Sequence, residues 1–171
     1  MHELSVSVAE ILGRPGAYRD LQVSKPLPGV RIPLARLQRD VDARLRAESV
    51  VEGILVTGTV GGQAVLQCAR CLKQLPSGYE VEVCELFYGN GHAPEPDEDA
   101  YSVKGVEIDL EPMLRDAVTL ALPLNPLCAE DCKGLCPRCG RDLNLNDCNC
   151  TEEAGDPRWA ALDELRDRLA Q

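Results

Sequence analysis

Nine cysteines in a chain of 171 residues limit its folding more than any other feature. They are Cys68, Cys71, Cys84, Cys128, Cys132, Cys136, Cys139, Cys148 and Cys150. An odd count argues against a complete disulfide framework. The opening Met1-His2-Glu3-Leu4 has neither the basic nor the apolar stretch of a secretory leader, so a cytoplasmic location is expected. A reducing compartment keeps thiols free, which puts metal binding ahead of redox chemistry as the reason for so many.

Six of the nine lie between Cys128 and Cys150. Cys136-Pro-Arg-Cys139-Gly140 has the spacing of a zinc knuckle. Two intervening residues turn both sulfurs toward one ion, and a following glycine tolerates unusual backbone angles. A structural zinc takes four ligands, so six candidates over-supply a single ion. The preferred set is Cys136, Cys139, Cys148 and Cys150, with Gly140, Asn144 and Asn146 suiting the turn between the pairs. A rival set takes Cys128 or Cys132 in place of one of the return pair, and a two-metal cluster sharing thiolates ranks below both. The spacing matches neither common ferredoxin pattern, which ranks an iron–sulfur centre below zinc. The bland reading, six incidental thiols, fits poorly with turns rich in Gly, Asp and Asn.

Cys68-Ala-Arg-Cys71 is a second C-x-x-C, at the end of an expected strand. One pair cannot fill a zinc site. It could meet Cys84 on the next strand, join the C-terminal cluster, or act as a redox dithiol, although the βαβ setting of a thioredoxin-like motif is absent. Cys84 alone reads as a small core residue.

The rest of the chain reads as antiparallel sheet. Val41, Ala43, Leu45 and Ala47 alternate with Asp42, Arg44, Arg46 and Glu48, the signature of a half-buried strand. Val50–Val60 is rich in β-branched residues; Gly61-Gly62 suggests a hairpin turn, with Ala64-Val65-Leu66 opening the return strand. Leu4, Val6 and Val8 suggest a first strand, residues 22–40 a long loop, and Tyr79, Val81 and Val83 another strand. Asp109 can cap a helix from Leu110 to about Leu122, with Pro112 in its first turn. Asp156-Pro157 opens a last helix with a Leu162, Leu165, Leu169 stripe. The expected class is α+β: an antiparallel β-sheet core with a packing helix and a C-terminal zinc-binding segment followed by a short helix. The core domain is expected over 1–126, with an acidic loop at about 89–100, and the cysteine-rich segment over 127–171.

Charge narrows the partners. The formal net charge is −10, made of +3 over residues 1–75 and −13 over residues 76–171. Such a balance disfavours broad adhesion to phosphate backbones. The Arg31, Arg36, Arg39, Arg44, Arg46 stretch reads as a solvated strand edge or a local contact surface. One Phe, one Trp and four Tyr leave little for base stacking. No run approaches the length of a membrane span. Catalysis finds little support either. The two histidines, His2 and His92, sit at the terminus and in the acidic loop, and neither phosphate-binding glycine motif is present. Zinc held by four thiolates has no open position for substrate. The chain reads as a non-enzyme.

Four motifs together carry a resemblance. They are Cys68-Ala-Arg-Cys71-Leu72; Ile108-Asp-Leu-Glu-Pro112 opening a helix that ends Leu120-Ala-Leu-Pro-Leu124; Cys132-Lys-Gly-Leu-Cys136-Pro-Arg-Cys139-Gly-Arg-Asp-Leu-Asn144; and Asp156-Pro-Arg-Trp-Ala-Ala-Leu162. In this order they resemble the YceD family of large ribosomal RNA subunit accumulation proteins, with a looser match through Val51-Glu-Gly-Ile-Leu-Val-Thr-Gly58. The resemblance implies a cytoplasmic, non-catalytic factor in ribosome biogenesis, acting in accumulation or processing of large-subunit ribosomal RNA. It also implies that the C-terminal cysteine cluster marks one branch of the family. An acidic chain of this kind could engage a basic ribosomal protein or a pre-large-subunit particle. The competing functions are a zinc-stabilised protein–protein adaptor and a thiol redox switch, both unrelated to ribosomes.

Overall fold

The computed structural model describes residues 4–89 and 100–150. The chain forms two compact units, one running to Cys132 and the other starting at Lys133. Against the boundary at 126 read from the sequence, the first unit runs on through Cys132. Arg70 holds that extension by donating to the carbonyls of Cys132 at 2.9 Å and Glu130 at 3.3 Å. The final helix expected from Asp156 and most of the acidic loop lie outside the described residues.

The first unit is built on one long hairpin. Strands β5 (Gly53–Gln67) and β6 (Gln74–Tyr88) pair antiparallel over their whole length. The other edge of β5 carries two strands end to end, β4 (Val41–Ser49) along Ile54–Gly61 and β3 (Ala35–Leu37) along Ala64–Leu66. Strand β2 (Tyr18–Lys25) closes that side by pairing with β4. Strands β1 (Ser5–Ser7) and β7 (Glu107–Asp109) form a separate two-stranded ribbon. Helix α1 (Leu110–Ala121) follows β7 directly.

Alternation decides which face is buried. In β4, Val41, Ala43, Leu45 and Ala47 point inward while Asp42, Arg44 and Arg46 face out. Ile54, Val56 and Val60 of β5 are fully buried beside them on the same face, and Phe87 of β6 stacks on Tyr101 with ring centroids 5.2 Å apart. Burying a side chain such as Phe87 contributes about 2–3 kcal/mol. Asp109 accepts the Glu111 amide at 3.1 Å and so caps α1, which turns Leu110, Met113, Leu114 and Val118 onto the sheet.

Two expectations need correction. Gly61 and Gly62 make no turn; they lie inside β5. A Cβ on Gly62 would come within 2.7 Å of the Tyr79 hydroxyl across the ladder, so glycine serves close approach here. The turn falls six residues further on, at the cysteine pair. Part of the long loop at 22–40 is strand: β2 and β3 were hidden because Leu21 is the lone buried residue of β2 and β3 has none. β2 is held by its ladder and by Asp20, which accepts from Arg46 Nε at 2.8 Å. The same guanidinium sits 4.3 Å over the Tyr18 ring, so Arg46 is already engaged within the sheet.

Candidate metal centres

The six-residue connection between β5 and β6 holds Cys68-Ala-Arg-Cys71-Leu72-Lys73. Its geometry is a tight knuckle. The Cys68 amide donates to the Lys73 carbonyl at 2.9 Å, and the Leu72 amide donates back to the Cys68 carbonyl at 3.0 Å. Leu72 closes the turn at φ 61°, the left-handed region that glycine normally fills. The chain that follows α1 comes up against this turn, where Ala69 donates to the Pro126 carbonyl at 2.8 Å. That docking delivers Cys128 and Cys132. Cys71 Sγ lies 3.5 Å from Cys128 Sγ, Cys68 Sγ lies 3.9 Å from Cys132 Sγ, and all four sulfurs fall within 4.8 Å of one another. Cys68 and Cys132 are 0 % and 3 % exposed, so this group is set into the first unit.

The second unit repeats the turn. The Cys136 amide donates to the Arg141 carbonyl at 2.8 Å, and the Gly140 amide donates to the Cys136 carbonyl at 2.9 Å. Gly140 occupies the left-handed position at φ 70°. Asp142 Oδ1 accepts the Asn144 amide at 2.9 Å, and Asn144 Oδ1 accepts the Lys133 amide at 2.8 Å, which folds the chain back. Cys136, Cys139, Cys148 and Cys150 again lie within 4.8 Å of one another. Cys136 is buried while Cys139 and Cys150 are exposed.

Electrostatics match the geometry in both places. The Cys71 and Arg70 amides aim at Cys68 and lower its thiol to about 6. The Cys139 and Arg138 amides do the same for Cys136, also to about 6. The last thiols to ionise go the other way. Cys128, crowded by Cys132 and Cys71, is pushed up to about 12, and Cys150, crowded by Cys139, is likewise pushed up to about 12. Each turn therefore prepares one thiolate, and each group resists becoming fully anionic unless a cation joins it.

A tetrahedral thiolate shell at a metal–sulfur distance of about 2.3 Å places sulfurs about 3.8 Å apart. The contacts at 3.5 and 3.9 Å fit that shell. Each of the two cysteine groups could hold one metal ion. The structure keeps the preferred C-terminal four together and separates Cys128 and Cys132 from them. Those two join Cys68 and Cys71 instead. Cys84 is not a core residue; it is exposed on β6 and belongs to neither group. The pairing of Cys68 and Cys71 with Cys128 and Cys132 escaped the sequence reading. Cysteine arithmetic carried the signal, because nine thiols divide into two sets of four and one remainder.

The fold and these centres define a class: a β-sheet protein whose central hairpin ends in a cysteine knuckle, with a second knuckle beyond α1. The model of the family described as large ribosomal RNA subunit accumulation protein YceD matches residues 56–166, and the chain belongs to that family. An uncharacterized protein of Mycobacterium tuberculosis is 41% identical over 169 residues, covering 95% of this chain and 81% of the relative. YlbN of Bacillus subtilis is 31% identical over 108 residues, 63% of each chain. The chloroplastic large ribosomal RNA subunit accumulation protein YCED homolog 1 of Arabidopsis thaliana is 37% identical over 65 residues, 38% of this chain and 20% of that protein. No solved structure matches the chain. No helix among the described residues is long and apolar enough to cross a membrane.

Proposed function

We propose that this protein is a non-catalytic, cytoplasmic factor in ribosome biogenesis that supports accumulation or processing of large-subunit ribosomal RNA. The family match over residues 56–166 carries the reading, because it takes in most of the β5–β6 hairpin, α1 and both cysteine groups. Zinc is the proposed occupant of each group. Four sulfur donors in a tetrahedral shell suit it, and four protein ligands leave no place for a substrate. Its role is then to hold the two turns, in the first unit by joining the hairpin end to the segment after α1. The charge of −13 over residues 76–171 favours a basic partner, such as a ribosomal protein within a pre-large-subunit particle, over bare RNA.

The test is a deletion strain complemented with the intact gene, read as mature large-subunit ribosomal RNA relative to small-subunit ribosomal RNA. The expected result is a selective deficit of large-subunit RNA, restored by the gene, with the protein sedimenting beside precursor particles. Unchanged ribosomal RNA and sedimentation only as free protein would overturn the reading and leave a zinc-stabilised adaptor in its place.

A further inference from the structure

Strand β6 has one edge bonded to β5 along its whole length. Among the described residues, its other edge is paired only at the end, where the Tyr88 amide donates to the Tyr101 carbonyl and the Tyr88 carbonyl accepts from the Val103 amide, both at 2.9 Å. These bonds fix the phase of the strand. Tyr88 faces outward, whereas Gly89 faces the other way and donates to the Glu52 carbonyl at 2.8 Å. Strand residues alternate in the side to which their backbone groups point. Gly78, Glu80, Glu82, Cys84 and Leu86 therefore present their amides and carbonyls on the open edge. Pro76 shares this phase, so its missing N–H costs no bond to β5.

A groove of about 720 Å³ runs beside this edge, between β6 and α1. Its apolar lining includes Val83, Ala117 and the largely exposed Leu120. Its walls carry Glu82, Glu85, Asp109 and Asp116 against a single cation, Lys104. Asp109 caps α1 and Asp116 accepts from the Tyr101 hydroxyl at 2.6 Å. Glu80, Glu82 and Glu85 are exposed on β6 itself.

We propose that the open edge of β6 is a docking site for a basic, extended polypeptide segment, which adds to the sheet as a further strand between β6 and α1. The idea rests on the proposed ribosomal role and names the chemistry of the partner. Backbone groups of Gly78–Leu86 would supply the ladder, the carboxylates would select Lys or Arg, and Leu120 would receive an apolar side chain. The same charges argue against other occupants. A second copy would bring Glu80, Glu82 and Glu85 against their like, and RNA would bring phosphates to carboxylates.

The probe is a fluorescent peptide of about ten residues in which Lys and Val alternate, titrated into the full chain by anisotropy. A control peptide replaces every Lys with Glu. The expected result is binding of the Lys peptide alone, weakened by salt, with slowed amide exchange at Gly78–Leu86. The double variant E82K/E85K should bind about tenfold more weakly. Cys84→Pro removes one outward amide as Pro76 does, and it should also weaken binding while circular dichroism stays unchanged. Equal binding by the variants, equal binding of the Glu peptide, or exchange protection elsewhere would overturn the proposal. So would concentration-dependent dimerisation that Cys84→Pro abolishes. E82K/E85K in the deletion strain separates the two readings. If the intact gene restores large-subunit RNA yet the peptide fails to bind, the docking site falls and the ribosomal role stands.

Discussion

The two cysteine turns share a backbone design and differ in what surrounds them. In both, the first cysteine exchanges bonds with the residues four and five positions on, and an amide pair lowers its thiol to about 6. The first turn caps the longest hairpin of the sheet, and its partners Cys128 and Cys132 arrive from beyond α1. Fifty-six residues, from Leu72 to Leu127, separate its two halves. The second turn gathers all its ligands within Cys136–Cys150, and two of the four are exposed. An ion in the first group would close a long loop around a hydrophobic core. An ion in the second would close a short loop that, among the described residues, buries little apolar surface. Loop-closure entropy grows with the length enclosed, so the same four thiolates should matter more to global stability in the first group.

The largest effect should therefore come from breaking the first group. Cys132→Ser should lower the melting temperature of the metal-loaded protein by on the order of 10 °C, whereas Cys136→Ser should leave the main transition nearly in place. Differential scanning calorimetry, with metal content by mass spectrometry, makes the comparison. The wild type should carry close to two zinc ions per chain, one for each cysteine group, and each variant should lose one. Equal melting shifts for the two variants would mean that burial and loop length do not distinguish the sites.

Acid provides a second contrast. Metal binding needs thiolates, and Cys128 and Cys150, pushed up to about 12, hold their protons at neutral pH without metal. Zinc binding at pH 7 should then release protons, and affinity should fall as pH falls. The fall steepens below about 6, where Cys68 and Cys136 also protonate. Because their folded values lie below the ordinary thiol value, the contribution of those two thiolates is present above that value and is lost as pH falls through about 6. A chelating dye should report zinc leaving both groups on acidification, and leaving the exposed second group sooner at any one pH. Retention that does not change between pH 8 and pH 4 would exclude thiolate ligation.

Much of this plan was legible in the chain. The alternation of Val41–Ala47 places β4, Asp109 caps α1, and Cys136-Pro-Arg-Cys139-Gly140 marks a knuckle because all its parts are local. What stayed hidden depends on distant pairing. β2 buries one side chain and exists because β4 offers it a ladder. Gly61-Gly62 looks like a turn until Tyr79 arrives across the sheet. Cys128 and Cys132 sit close in sequence to Cys136, and it takes the docking of Pro126 onto Ala69, with Arg70 on the Glu130 and Cys132 carbonyls, to assign them to the other turn.

The finest distinction between the turns is a single residue. Gly140 fills the left-handed position in the second, while Leu72 fills it in the first, with half of its surface exposed. A β-carbon there costs about 1 kcal/mol relative to glycine. Leu72→Gly should therefore raise the stability of the first unit by up to about 1 kcal/mol, and Gly140→Leu should weaken the second turn by a similar amount. Paired chemical denaturation and zinc-competition titrations would measure both. Leu72 makes the informative case, because its side chain can offset the strain only through packing. Its exposure of 50% leaves limited room for that. If Leu72→Gly destabilises the protein, the side chain contributes more at the turn than its exposure suggests, and the two knuckles are equivalent in backbone alone.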